Sequence, residues 1–169
     1  MARFPRLLFV ALALAVLPQG PAAAQMSDPE PERIDGLATA ISGDRITING
    51  AELALYGIDA PELGQTCRTS RNREYDCGAT AQEMLTRLLG TDPITCWSYG
   101  AGLDTEEVGR CFRGTTDIGG MMVMRGWARA QRGLSHRYDL AEARAQMDGA
   151  GMWSGTAEAP WIWRARNGQ

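Results

Sequence analysis

Five strand-like runs, with a helical run set between the third and the fourth, predict a mainly β fold with helices (α+β). The arrangement expected is a five-stranded OB-type barrel with about three short helices and two disulfides. Three observations support it. Asn49-Gly50 joins two apolar, β-branched runs as a hairpin turn does, since both residues tolerate positive φ. At Gly78 the apolar spacing changes from a period of two to that of a helix. A second pair of strand-like runs follows, around the glycine-rich 100-GAGLD-104.

The chain opens on a segment that reads as an export signal, residues 1–24. Arg3 and Arg6 precede the unbroken apolar run Leu7 to Leu17, and Ala22-Ala23-Ala24 supplies small residues for cleavage. The mature chain then starts near Gln25 and keeps 145 of the 169 residues, the size of one domain. Its expected location is secreted or periplasmic, with no membrane span left after cleavage. Residues 25–33 (QMSDPEPER) are rich in proline and acid and are expected to form a disordered lead-in. The folded domain is expected over 34–155, with 156–169 a tail packed on the barrel through Trp153, Trp161 and Trp163.

Within the domain, Ile34 to Ile41, Arg45 to Ile48 and Glu52 to Ile58 form an antiparallel meander through 42-SGD-44 and 49-NG-50. Residues 63–76 are polar and irregular. Ala81, Met84, Leu85, Leu88 and Leu89 then share one helix face, and Gly90 ends the helix. Strands follow at about 93–99 and 106–113. Thr116 or Asp117 caps a short helix that closes at Gly126, and a last helix is expected from Tyr138 to Met147.

Four cysteines, Cys67, Cys77, Cys96 and Cys111, suit two disulfides in an oxidising compartment. No Cys-x2-Cys pair supports zinc, and His136 stands alone in the sequence. A turn centred between Leu103 and Asp104 would set Cys96 opposite Cys111, leaving Cys67 with Cys77. Two other pairings fit the count equally. The charge argues against an ordinary nucleic-acid binder: it is −3, and −5 once Arg3 and Arg6 are removed. The chain contains no lysine, so every basic side chain is a guanidinium.

The order 42-SGDRITI-48, 54-ALYGIDAPE-62, 74-EYDCGATA-81, 117-DIGGMMVMRGWA-128 and 151-GMWSG-155 resembles the staphylococcal-nuclease-like (thermonuclease) family, in its exported, disulfide-containing bacterial form. The resemblance spans about Ile34 to Gly155. It implies an OB barrel and a calcium-dependent phosphodiester hydrolase acting on DNA or RNA. By position it makes Asp44 and Asp59 the metal carboxylates and Ala60 a carbonyl ligand. Glu62 becomes the residue that positions or deprotonates the attacking water. Such a set is chemically apt, because a hard cation takes oxygen ligands and neutralises phosphate charge.

The arginines depart from the family pattern. One belongs five residues before the aspartate of Asp-x-Pro-Glu, where this chain has Ala54. The other, counted back without gaps from Gly126, falls on Glu106. Losing one preorganised donor to a developing oxyanion costs on the order of 10² to 10³ in rate. Arg45, Arg68, Arg71 and Arg73 lie near the carboxylates in sequence and are candidate phosphate binders. Arg110 is a further one, although the ungapped register sets it opposite Trp97 for a cation–π contact. Two readings follow. One is a divergent, weak, calcium-assisted nuclease. The other is a catalytically inactive OB-fold binding module of the cell envelope, with a nucleic acid or a protein as ligand. A monomer is expected in both.

Overall fold

A computed structural model of the chain describes residues 30–101 and 106–168. The export segment and the centre of the 100-GAGLD-104 turn lie outside the described residues. The meander expected from the sequence is β1 (Glu32–Gly36), β2 (Ala38–Ala40), β3 (Arg45–Ile48) and β4 (Ala51–Leu55). Asn49 and Gly50 both take positive φ, 51° and 83°, as their turn requires. Strand β5 (Ile58–Asp59) follows, then the hairpin β6 (Thr66–Arg68) and β7 (Glu74–Asp76). That hairpin replaces the irregular loop expected over 63–76. The Cys67–Cys77 disulfide closes its base, so a polar segment without a core face is held as a ribbon.

Helix α1 (Cys77–Leu89) is capped by Asp76, whose carboxylate accepts from the Ala79 amide, and Gly90 ends it at φ 69°. Strands β8 (Ile94–Ala101) and β9 (Glu107–Arg113) form the second hairpin, with Cys96 opposite Cys111 and bonded to it. Then come β10 (Thr116–Asp117), α2 (Ile118–Met124), β11 (Arg129–Ala130), α3 (Asp139–Asp148), a 3-10 turn at Gly151–Ser154 and α4 (Pro160–Asn167). Asp117, one of the two expected caps, accepts the Gly120 amide. Among the described residues four α-helices form where about three were expected; α4 is the addition.

The sheet runs in the order β1-β8-β9-β4-β3-β2. Strands β1 and β2 are the two halves of one strand, broken only at Leu37, so the ends of this path belong together and the sheet curls as an OB barrel does. Strands β4 and β9 pair in parallel, and every other pairing is antiparallel. Inside sit Ile46, Ile48, Leu53, Leu55, Ile94 and the Cys96–Cys111 bridge. Helix α1 adds Ala81, Leu85, Leu88 and Leu89, and α2 adds Ile118, Met122 and Val123. Each of the large aliphatic side chains contributes about 1.5–3 kcal/mol by leaving water. Because side chains alternate along a strand, Arg45 and Ala54 face outward from the same barrel.

Candidate functional site

The turn 41–44 brings Asp44 to the barrel mouth. Its Oδ1 accepts from the Ser42 hydroxyl at 2.7 Å and its Oδ2 from the Ala60 amide at 2.8 Å. That second bond ties the turn to the strand end sixteen residues later. Asp59 closes β5, paired with Arg129 of β11, and is buried. Glu62 follows one proline further on, its amide donating to the Gln65 side chain. Gly78 lets α1 approach this loop: a Cβ there would stand 1.8 Å from the Glu62 carbonyl oxygen. Asp44, Asp59 and Glu62 thus form one acidic cluster. Burial pushes the Asp44 carboxyl up to about 6, only partly offset by the Ala60 amide and Ser42 hydroxyl, with the charges of Asp59 and Glu62 adding to the rise.

The cluster holds a guanidinium. Arg164 of α4 donates from Nη1 to Asp59 Oδ1 at 2.9 Å and from Nη2 to Asp59 Oδ2 at 3.0 Å. The same Nη1 also donates to Glu62 Oε1. This is the two-pronged fit that guanidinium makes to carboxylate, and it drives the Arg164 pKa further up, chiefly through the Asp59 bonds. The sequence reading missed Arg164. Its signal was available: Ala-Pro before an aromatic run, arginines at 164 and 166, and Gly168 read as a capped helix, so position 164 belonged to a structured element.

Calcium takes six to eight oxygens, with ligand distances of about 2.3–2.6 Å. Here both oxygens of Asp59 and one of Glu62 face Arg164, while those of Asp44 accept from Ser42 and Ala60. Among the described residues no group of three or more acidic, histidine or cysteine side chains is arranged to hold an ion. As it stands, the donor set does not fit the calcium site that the resemblance implies.

The five arginines read as candidate phosphate binders take separate positions. Arg45 stands directly across from Ala54 in the β3–β4 register and pairs with Glu106. Arg68 pairs with Glu74 across the β6–β7 hairpin, and Arg71 and Arg73 sit exposed at its turn. Arg110 does face Trp97 across the β8–β9 pair, yet its guanidinium lies over Phe112, 4.9 Å from the ring centre. The Asp117 carboxylate, 3.0 Å from Arg110 Nη2, draws it to that side, and Trp97 receives Arg33 instead. Among the described residues, none of these five donates to Asp44, Asp59 or Glu62.

Asp117 forms a second polar centre, taking Arg110, Arg137, the Gly120 amide and the Tyr138 hydroxyl. Burial alone would raise its pKa; the Gly120 amide, Arg110 and Tyr138 together lower it. Burial and the same carboxylate push the Tyr138 hydroxyl up to about 12.

A disulfide-stapled OB barrel with Asp44, Asp59 and Glu62 gathered beside β5 is the frame of a staphylococcal-nuclease-like domain. The chain belongs to the staphylococcal nuclease homologue family, whose description matches residues 52–155. The match includes Asp59 and Glu62 and stops short of Arg164. A relative, the succinoglycan biosynthesis protein ExoI of Rhizobium meliloti (strain 1021), is 33% identical over 131 residues, covering 75% of this chain and 68% of its own.

Proposed function

We propose that this chain is an exported, non-hydrolytic member of the nuclease family, a binding module that keeps the fold and the acidic cluster. One observation carries the reading. At the two positions where the family places phosphate-binding arginines, this chain has Ala54 and a Glu106 already paired with Arg45. Phosphoryl transfer needs free guanidinium donors aimed at the phosphate oxygens. Two disulfides suit an oxidising compartment, and no described helix is long and apolar enough to cross a membrane.

The ligand class that the outer face favours is a single strand of nucleic acid. Trp97 and Tyr99 are exposed on β8, with Arg33 over the Trp97 ring and Tyr56 edge-on to Tyr99 at 5.3 Å. Stacking on such rings tolerates any base, at about 1–3 kcal/mol per base. The negative net charge makes this binding weak and only mildly salt-dependent. The relative's printed role in succinoglycan biosynthesis makes a polysaccharide the comparison ligand.

The opposing reading is a surviving calcium-assisted hydrolase, favoured by the gathered carboxylates. The oxidised mature protein is incubated with DNA and RNA, in calcium and in chelator. No cleavage by wild type is expected, with measurable cleavage returning only where Ala54→Arg and Glu106→Arg are combined with Arg164→Met, which frees the carboxylates. Retention of a labelled single strand, weakened several-fold by Trp97→Ala, is also expected. Chelator-sensitive cleavage by wild type sinks the proposal in favour of the hydrolase. Binding of polysaccharide with none of oligonucleotide overturns the ligand class.

A further inference from the structure

We infer that Arg164 is the resident cation of the acidic cluster, a built-in substitute for a divalent ion that leaves the cluster indifferent to calcium. Three carboxylates close enough to repel one another, one of them buried, need a positive partner. The chain meets that need from its own sequence, 105 residues beyond Asp59. A guanidinium suits the task better than an ammonium would, because its planar fork reaches both Asp59 oxygens and Glu62 at once.

Helix α4 is brought there by dedicated contacts. Arg68 and Thr156 exchange backbone hydrogen bonds, each 2.9 Å. Gly155 permits that approach, since a Cβ on it would stand 1.9 Å from the Arg68 carbonyl oxygen. The buried Gln65 donates its side-chain amide to the Glu158 carbonyl at 2.9 Å. Arg129 is the other cation near Asp59, lying opposite it in the β5–β11 register. Its guanidinium feels the Asp59 charge but is engaged elsewhere: it donates to the Ala157 carbonyl and lies 4.4 Å and 5.7 Å from the rings of Trp153 and Trp161. Arg129 therefore holds the segment leading into α4, and Arg164 is left to neutralise Asp59. Pro160 at the first turn and Gly168 at the C-cap bound the helix.

The readout is the response to a cation and not turnover, so this inference stands or falls separately from the loss of hydrolysis. Thermal unfolding of the oxidised mature protein is followed in millimolar calcium chloride and in chelator. The proteins compared are wild type, Arg164→Met, Arg164→Lys and the double variant Arg164→Met, Asp59→Asn. Wild type and Arg164→Lys are expected to melt at the same temperature in both buffers. Arg164→Met is expected to melt lower in chelator and to regain about 5 °C or more in calcium. The double variant should lose that gain. A wild-type protein that calcium stabilises as much as Arg164→Met overturns the inference, as does an Arg164→Met protein that calcium leaves unchanged. Should Arg164→Met fail to fold in chelator, recovery of the folded signal in calcium supports it. Failure to recover while Arg164→Lys folds overturns it.

Discussion

Two arginine–carboxylate contacts of this barrel have very different weights. Arg45–Glu106 is a surface pair, with side chains 45% and 26% exposed. Arg164–Asp59 joins a guanidinium 32% exposed to a carboxylate only 5% exposed. Exposed pairs contribute about 0–1 kcal/mol, because water screens them and two long side chains must be held still. Removing one partner of a buried pair costs about 3–5 kcal/mol, because the other charge is stranded. On the proposed reading, the positions of the phosphate-facing half carry an ordinary surface contact, and the carboxylate half carries a structural one.

That contrast is open to mutation. Arg164→Ala should show the largest loss, about 3 kcal/mol or more by denaturant unfolding near neutral pH, since it leaves Asp59 buried and unpaired. A loss under about 1 kcal/mol would place this contact in the same class as the surface pair. Next, Cys96→Ser with Cys111→Ser opens a loop with a sequence separation of 15 and should cost about 3 kcal/mol in the same assay.

A smaller effect is expected at Asp117, about 1–2 kcal/mol for Asp117→Asn at neutral pH. The sign of its pH dependence is fixed by the lowered pKa. The folded state holds this proton less tightly than the unfolded chain, so the stabilisation exists above the ordinary aspartate range and disappears as pH falls through the folded pKa. The gap between wild type and Asp117→Asn should therefore close on acidification; a gap independent of pH would mean that packing, not charge, is lost. Least of all, Arg45→Gln should change stability by no more than about 1 kcal/mol, and salt should shrink even that.

Much of this molecule was legible in the residues, for local reasons. Asn49-Gly50 determines its own turn, the spacing Ala81, Leu85, Leu88, Leu89 determines its own helix, and Asp76 and Asp117 cap by chemistry within three residues. The Cys96–Cys111 bridge was the favoured one of three pairings, because a turn centred between Leu103 and Asp104 sets the two cysteines opposite each other. The acidic cluster was legible through the family resemblance, which picked out Asp44, Asp59 and Glu62 by position. What escaped was the cation. Arginines near in sequence, at 45, 68, 71 and 73, invited the search, but each strand and hairpin points its side chains where its own pairing dictates. Arg110 shows the same limit at short range: its cross-strand neighbour was right, and its ring partner was decided by Asp117. Only the docking of α4, through Gln65, Arg68 and Arg129, selects Arg164, and no periodicity encodes a contact between distant segments.

The separation of 102 and 105 residues between Arg164 and its two acids also has a consequence for time. Closing so long a loop is entropically costly, so this contact is expected to form after the barrel and to lie on the native side of the folding barrier. Interactions absent from the transition state leave the folding rate alone and govern how long the native state lasts. Arg164→Ala should accordingly fold at nearly the wild-type rate in stopped-flow experiments and unfold many-fold faster. The guanidinium that neutralises the cluster is in that sense a clasp, which sets the lifetime of the fold more than the ease of reaching it.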